Sequence, residues 1–157
     1  MPSDVPSGAA RRRERNRDEM RRLILAAARA IVQRDGLAAL SMRAVAAEIG
    51  YSAAAIYEYY PSKIKLLEAL FFEGTEGLAG RMHEEVARLP PDAAPLAYLS
   101  VAGAAYRAFA LEHAELYRLI FTTPMTHGPA TIDQIEEDAA FKFLVDMFRS
   151  GIEAGYV

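Results

Sequence analysis

SMRAVAAEIGYSAAAIYEYYPSK, Ser41 to Lys63, reads as two short helices joined by a tight turn. Ser41 is a good N-cap, because its hydroxyl can accept a bond from a free backbone N–H at a helix start. Val45 and Ile49, four apart with Ala46 beside them, give the first helix one apolar face. Gly50 supplies the left-handed residue that ends such a helix. Ser52 is a second N-cap two residues later. Ala53, Ala54 and Ala55 are strong helix formers, and Ile56 is the expected core anchor of the second helix. Pro61 and Ser62 then read as a break and a third cap, with Lys63 in the first turn of the helix that follows. The pattern is that of a helix-turn-helix DNA reader.

The side chains left outside suit DNA. A helix carrying only alanines can press into the major groove, where its methyls touch thymine methyl groups. The helix starts at Ser41 and Ser52 present backbone N–H groups to phosphate. Tyr57, Tyr59 and Lys63 can donate to phosphate oxygens, which sets register without reading sequence. The planar fork of Arg43 can pair with guanine O6 and N7. A generic helical hairpin would show any one of these features. The two caps, the glycine, the apolar anchors and the closing Tyr-x-Tyr-Tyr-x-Ser-Lys fall together at consistent spacings, which favours the DNA reader.

The stretch resembles the N-terminal domain of the TetR/AcrR family of bacterial transcriptional regulators, closely over Asp18 to Phe72 and in architecture beyond. A long apolar helix, LILAAARAIVQRDG, precedes the motif as in that family. Ser41, Arg43, Val45, Ala46, Gly50, Tyr51 and Ser52 fit one family pattern, and Tyr57, Tyr59, Tyr60, Lys63 and Leu66 fit the next. The resemblance implies phosphate contacts for Ser41, Tyr57, Tyr59 and Lys63. It implies base-edge contacts for Arg43 and for Ala53, Ala54 and Ala55. Family members often carry larger polar residues at some of these last three positions. With alanine at all three, specificity leans on Arg43, methyl contacts and DNA shape.

A chain of 157 residues can form one good core or two small ones. It has no cysteine, so no disulfide frame and no thiolate zinc site. It has no run of about 18 apolar residues and no N-terminal signal core, and a cytoplasmic location is expected. The net charge of −3 hides a division: 12 basic and 7 acidic residues lie between Met1 and Lys65, 6 basic and 14 acidic beyond. Such asymmetry suggests a basic nucleic-acid end and an acidic remainder.

The expected fold is all-α, with a three-helix helix-turn-helix DNA-binding domain followed by a helical ligand-sensing domain. Residues 1–17 read as a disordered arm, 18–64 as the DNA-binding domain with its motif at 41–60, and 65–157 as the regulatory domain. The run RRRERNR, Arg11 to Arg17, reads as a solvated arm, as the frayed start of the first helix, or as an arm that tracks phosphates beside the motif. Met20 to Arg34 is amphipathic, with Leu23, Ile24, Ala27, Ala28, Ile31 and Val32 at helical spacing, and Gly36 closes it. Leu37 and Leu40 are expected to plug the core. The helix that begins near Ser62 carries Ile64, Leu67, Leu70 and Phe71 and extends toward Arg88 despite Gly74, Gly77 and Gly80. Pro90 to Pro95 is a linker. Further helices are expected over Leu96–Glu112, His113–Phe121 and Ile132–Ile152, with a loop at Thr122–Ala130.

FALEHAELYRLIF resembles the subgroup whose C-terminal domain is named for a Trp-His-Gly signature, although the signature is absent. The family resemblance implies a homodimer, a palindromic operator in double-stranded DNA and a small, often hydrophobic effector. Family members continue for two dimerising helices past the point where this chain stops at GIEAGYV, so those helices are expected to be lacking. Tyr98, Tyr106, Phe109, Phe121, Met125, Phe141 and Phe148 are candidates to line an apolar effector cavity, with plain core packing as the alternative. No catalytic centre, metal or cofactor is expected: His83, His113 and His127 are scattered, no phosphate-binding glycine loop is present, and Glu136–Asp138 reads as a solvated face. The function expected is repression relieved by a small hydrophobic ligand. The alternatives are a helical adaptor or dimerisation module, and a small-molecule carrier that does not bind DNA.

Overall fold

The computed structural model describes residues 8–122 together with 141–143, 145, 146, 149 and 152. It divides into two compact units, Met1–Leu67 and Glu68–Val157. The division falls inside a helix, three residues beyond the 64/65 boundary expected from sequence.

The first unit opens with α1, Gly8–Asp35. Residues 8–17, read as a disordered arm, are helical: alanine, arginine and glutamate are all good helix formers, and no proline or glycine interrupts them until Gly36. Only the C-terminal half of α1 enters a core. Ile24, Ala27, Ala28, Ile31 and Val32 are buried, the spacing of a single helical face. Leu23, assigned to that face from sequence, is exposed, one position off the stripe. Gly36 ends the helix at φ 83°, and its N–H reaches the Val32 carbonyl at 3.0 Å. A 3-10 turn, Leu37–Ala39, leads on. Leu40 is buried while Leu37 is only half-buried, so one leucine plugs the core where two were expected.

Next come α2, Met42–Ile49, and α3, Ala53–Tyr57. Ser41 Oγ accepts from the Ala44 N–H at 3.1 Å, and Ser52 Oγ from the Ala55 N–H at 3.2 Å. Gly50 sits at φ 72°. The Tyr51 N–H bonds the Ala46 carbonyl at 2.9 Å and the Gly50 N–H the Ala47 carbonyl at 3.4 Å, which makes the helix end a Schellman motif. Met42, Val45, Ala46 and Ile56 point inward and are buried. Full burial of a side chain such as Ile56 is worth about 1.5–3 kcal/mol, enough to hold a five-residue helix that has no stability of its own.

The helix α4, Lys63–Ala87, starts in the first unit and continues through the second. Ser62 caps it, accepting from the Lys65 N–H at 3.2 Å. Leu66 closes the first core, and Ile64 is exposed instead of buried. The second unit adds α5, Pro95–Glu112, and α6, Ala114–Thr122. Its core holds Leu70, Leu78, Ala79 and Met82 from α4, Ala102, Ala105 and Phe109 from α5, and Leu116 and Leu119 from α6. The glycines do not break α4. A Cβ at Gly74 would stand 2.9 Å from Ile120 Cδ1 and 3.2 Å from Leu116 Cγ, so the missing side chain lets α6 press against the α4 backbone. Thr122, expected to open a loop, is instead the last residue of α6; the rest of that expected loop, 123–130, and most of the helix expected at 132–152 lie outside the described residues.

Candidate nucleic-acid interface

The inner faces of α2 and α3 are spent on the core, and their outer faces carry the residues singled out from sequence. Ser41, Arg43 and Ser52 are exposed at the two helix starts. Ala54 is exposed, with Ala53 and Ala55 half-buried on either side. Tyr57, the last residue of α3, is 50% exposed. The chain then turns through Glu58 and Tyr59 to Lys63, the exposed first residue of α4. Tyr59 is half-buried, so only part of its ring is offered outward. Tyr60 faces the other way. Its hydroxyl donates to the Arg21 carbonyl at 3.5 Å, tying the turn to α1.

A brace that is not legible in the sequence orients α2. The Arg34 guanidinium donates to both Glu48 oxygens at 3.1 Å, and also to Asp35. Hydrogen bonding to Arg34, then its charge, hold the Glu48 carboxyl below the usual carboxylate range. The same bonds raise the already high pKa of Arg34. The two residues are 14 apart in sequence, and an ordinary Arg and Glu at that separation give no pairing signal.

The aromatic set expected to line an effector cavity separates in the second unit. Phe109 is buried, and Tyr98 and Tyr106 are half-buried. Tyr98 donates to the Pro90 carbonyl at 3.5 Å. The Tyr106 and Tyr117 hydroxyls share a hydrogen bond of 2.8 Å, with the rings edge to face. Desolvation, then the bond to Tyr117, push the Tyr106 hydroxyl up to about 12. Phe141 is 41% exposed. Phe143, two positions on and therefore on the opposite side of the helix, is the buried ring. It packs on His83 at 4.3 Å between centroids, and His83 Nδ1 lies 2.9 Å from the Ala79 carbonyl. Phe121 lies in α6, while Met125 and Phe148 lie outside the described residues. Among the described residues no group of His, Asp and Glu is placed to hold a metal ion, and no helix is long and apolar enough to cross a membrane.

Comparison with known proteins agrees with this geometry. Residues 24–70 match the family model for bacterial regulatory proteins of the tetR family. Residues 99–156 match a Tetracyclin repressor-like C-terminal domain, which leaves the finer resemblance to the Trp-His-Gly subgroup without support. No curated protein matches the chain. Among solved structures, a protein of unknown function from Rhodococcus sp. RHA1 is similar at 30% identity and a TM-score of 0.72, over 87% of this chain and 69% of that one. A TetR family transcription regulator from Marinobacter aquaeolei VT8 shares the fold at 24% identity and a TM-score of 0.67, over 91% and 73%. The TetR family transcriptional regulator PfmR from Thermus thermophilus shares it at 20% identity and 0.59, over 85% and 72%. The two matched models, the 30% identical relative and the capped α2–α3 pair together show that the chain belongs to the TetR family of bacterial regulatory proteins, DNA-binding transcription regulators built as a helix-turn-helix domain followed by a helical C-terminal domain.

Proposed function

We propose that this regulator holds operator DNA through Ser41, Arg43, Ser52, Ala53, Ala54, Ala55, Tyr57, Tyr59 and Lys63. Arg43 and the Ala53–Ala55 methyls meet base edges, and the hydroxyls and Lys63 meet phosphates. The observation that carries this reading is the division of labour within α2 and α3: Val45 and Ile56 are fully buried, while Arg43, Ala54 and Tyr57 on the same two helices face out. A small hydrophobic effector in the second unit relieves repression, which requires it to bind the DNA-free state more tightly than the DNA-bound one. The operator is palindromic and read by two copies of the chain, in the cytoplasm.

Duplexes selected from a random pool by the intact protein supply the probe. With that probe, Lys63→Ala weakens binding to all sequences alike and flattens the dependence of log K on log salt by about 0.9, one phosphate contact. Arg43→Ala instead relaxes preference at one base pair by roughly 1–3 kcal/mol. Sequence preference left intact by Arg43→Ala, with affinity left intact by Lys63→Ala, would overturn the assignment.

A further inference from the structure

The N-terminal half of α1 has no core to pack on. Every residue from Gly8 to Glu19 is exposed, and among the described residues Arg11, Arg12, Arg13, Arg15 and Arg17 form no ion pair. The stripe that buries Ile24, Ala27 and Ala28, traced back toward the N-terminus at helical spacing, continues through Arg17, Glu14, Arg13 and Ala10. This face borders an open groove of about 610 Å³, whose other wall is Glu58 and Tyr59 at the exit of α3. Asn16 also lines it. Tyr59 is thus shared between the groove and the proposed DNA surface.

We propose that this groove seats a stretch of DNA backbone beyond the bases reached by α2 and α3, with Arg13 and Arg17 gripping successive phosphates. The inference rests on the DNA-binding reading above and adds a second contact region to it. Four residues of helix advance about 6 Å, so two arginines one turn apart can reach neighbouring phosphates of one strand, which rise about 3.4 Å per step along the duplex axis. The surplus of charge comes from the whole extension: seven arginines against Glu14, Asp18 and Glu19 between residues 8 and 22, at the end of the helix where the backbone dipole is itself positive. Basic residues in a first turn oppose that dipole, and the like-charged pairs Arg11/Arg15 and Arg13/Arg17 each cost about 0.2–0.5 kcal/mol. An anion laid along this face relieves the Arg13/Arg17 repulsion. A lipid surface fits poorly, because Ala9, Ala10 and Met20 are the only apolar residues of the extension and form no face to insert. Glu14 and Glu58 stand on the groove walls and set a limit on how tightly the backbone is held.

The test uses the intact chain and the selected duplex with flanking DNA on both sides, titrated with salt. Arg13→Ala/Arg17→Ala removes two contacts, so between about 50 and 200 mM salt it loses roughly tenfold less affinity than the unaltered protein, and base preference stays the same. Arg12→Ala/Arg15→Ala removes equal charge from the opposite face of the same helix and changes the slope by less than half as much. Glu14→Gln/Glu58→Gln tightens binding. Equal effects of the two arginine pairs, or a slope for Arg13→Ala/Arg17→Ala that matches the unaltered protein, would overturn the groove. If Lys63→Ala and Arg43→Ala act as expected while the Arg13/Arg17 pair does not, the groove alone fails. If those two are silent and the Arg13/Arg17 pair acts, the groove stands and the motif assignment fails.

Discussion

Glu48 shows how one side chain sets the pose of the DNA-reading unit. It takes two hydrogen bonds from Arg34, so α2 is tied by its last turn to the C-terminal end of α1. Its carboxyl is held below the ordinary value by those bonds. A carboxyl depressed in the folded state lends stability above its unfolded pKa and withdraws it as pH falls through the folded one. Stability of the first unit therefore declines on acidification through and below the normal carboxylate range, and Glu48→Gln removes that part of the decline. The pair is largely exposed, so high salt shrinks the same effect. Thermal melts across acid pH, at low and high salt, check this; identical pH profiles for Glu48→Gln and the unaltered protein would refute it. The caps are legible in the sequence and this pair is not, for a plain reason. A cap is a local bond across three residues, whereas Arg34 and Glu48 meet only because α1 and α2 fold onto each other.

At the scale of elements, α4 combines two demands that ordinarily conflict. Glycine costs a helix about 0.8–1 kcal/mol relative to alanine, yet α4 carries Gly74, Gly77 and Gly80 within one continuous helix. A methyl group on Gly80 would meet nothing within 4 Å, while one on Gly74 would meet Ile120 and Leu116. Gly80→Ala accordingly stabilises the protein by roughly 0.5–1 kcal/mol. Gly74→Val destabilises it by about 1–3 kcal/mol, since its branches must displace packed side chains. Urea unfolding of the two variants decides the matter; a stable Gly74→Val protein would mean that α6 does not rest on α4 there. From the sequence these three glycines look alike, all weaknesses in one helix. The neighbour across the contact tells them apart. The extension of α1 is the opposite case: alanine, arginine and glutamate encode its helix locally, and the density of charge masks that signal as disorder.

For the molecule as a whole, charge and symmetry govern the encounter with DNA. The basic surplus lies before Leu66 and the acidic surplus after it, so the field attracts a polyanion to the first unit and repels it from the second. With a palindromic operator read by two copies, sedimentation of the protein on the selected duplex gives two chains per duplex, and one chain per duplex on a half-site. A single chain on the full duplex would remove the homodimer from the proposal. The all-α class, the position of the motif, the three serine caps and the left-handed Gly50 were legible in the sequence, because each depends on residues within a few positions of one another. Which face of the helix near 141 is buried, the Tyr106–Tyr117 hydroxyl pair, the Arg34–Glu48 brace, the close approach at Gly74 and the groove beneath the α1 extension were decided by tertiary structure. These depend on pairs of elements brought together by the burial of side chains such as Ile24, Ile56 and Leu70, and burial is non-directional: it drives the helices together without recording in any one of them what it will meet.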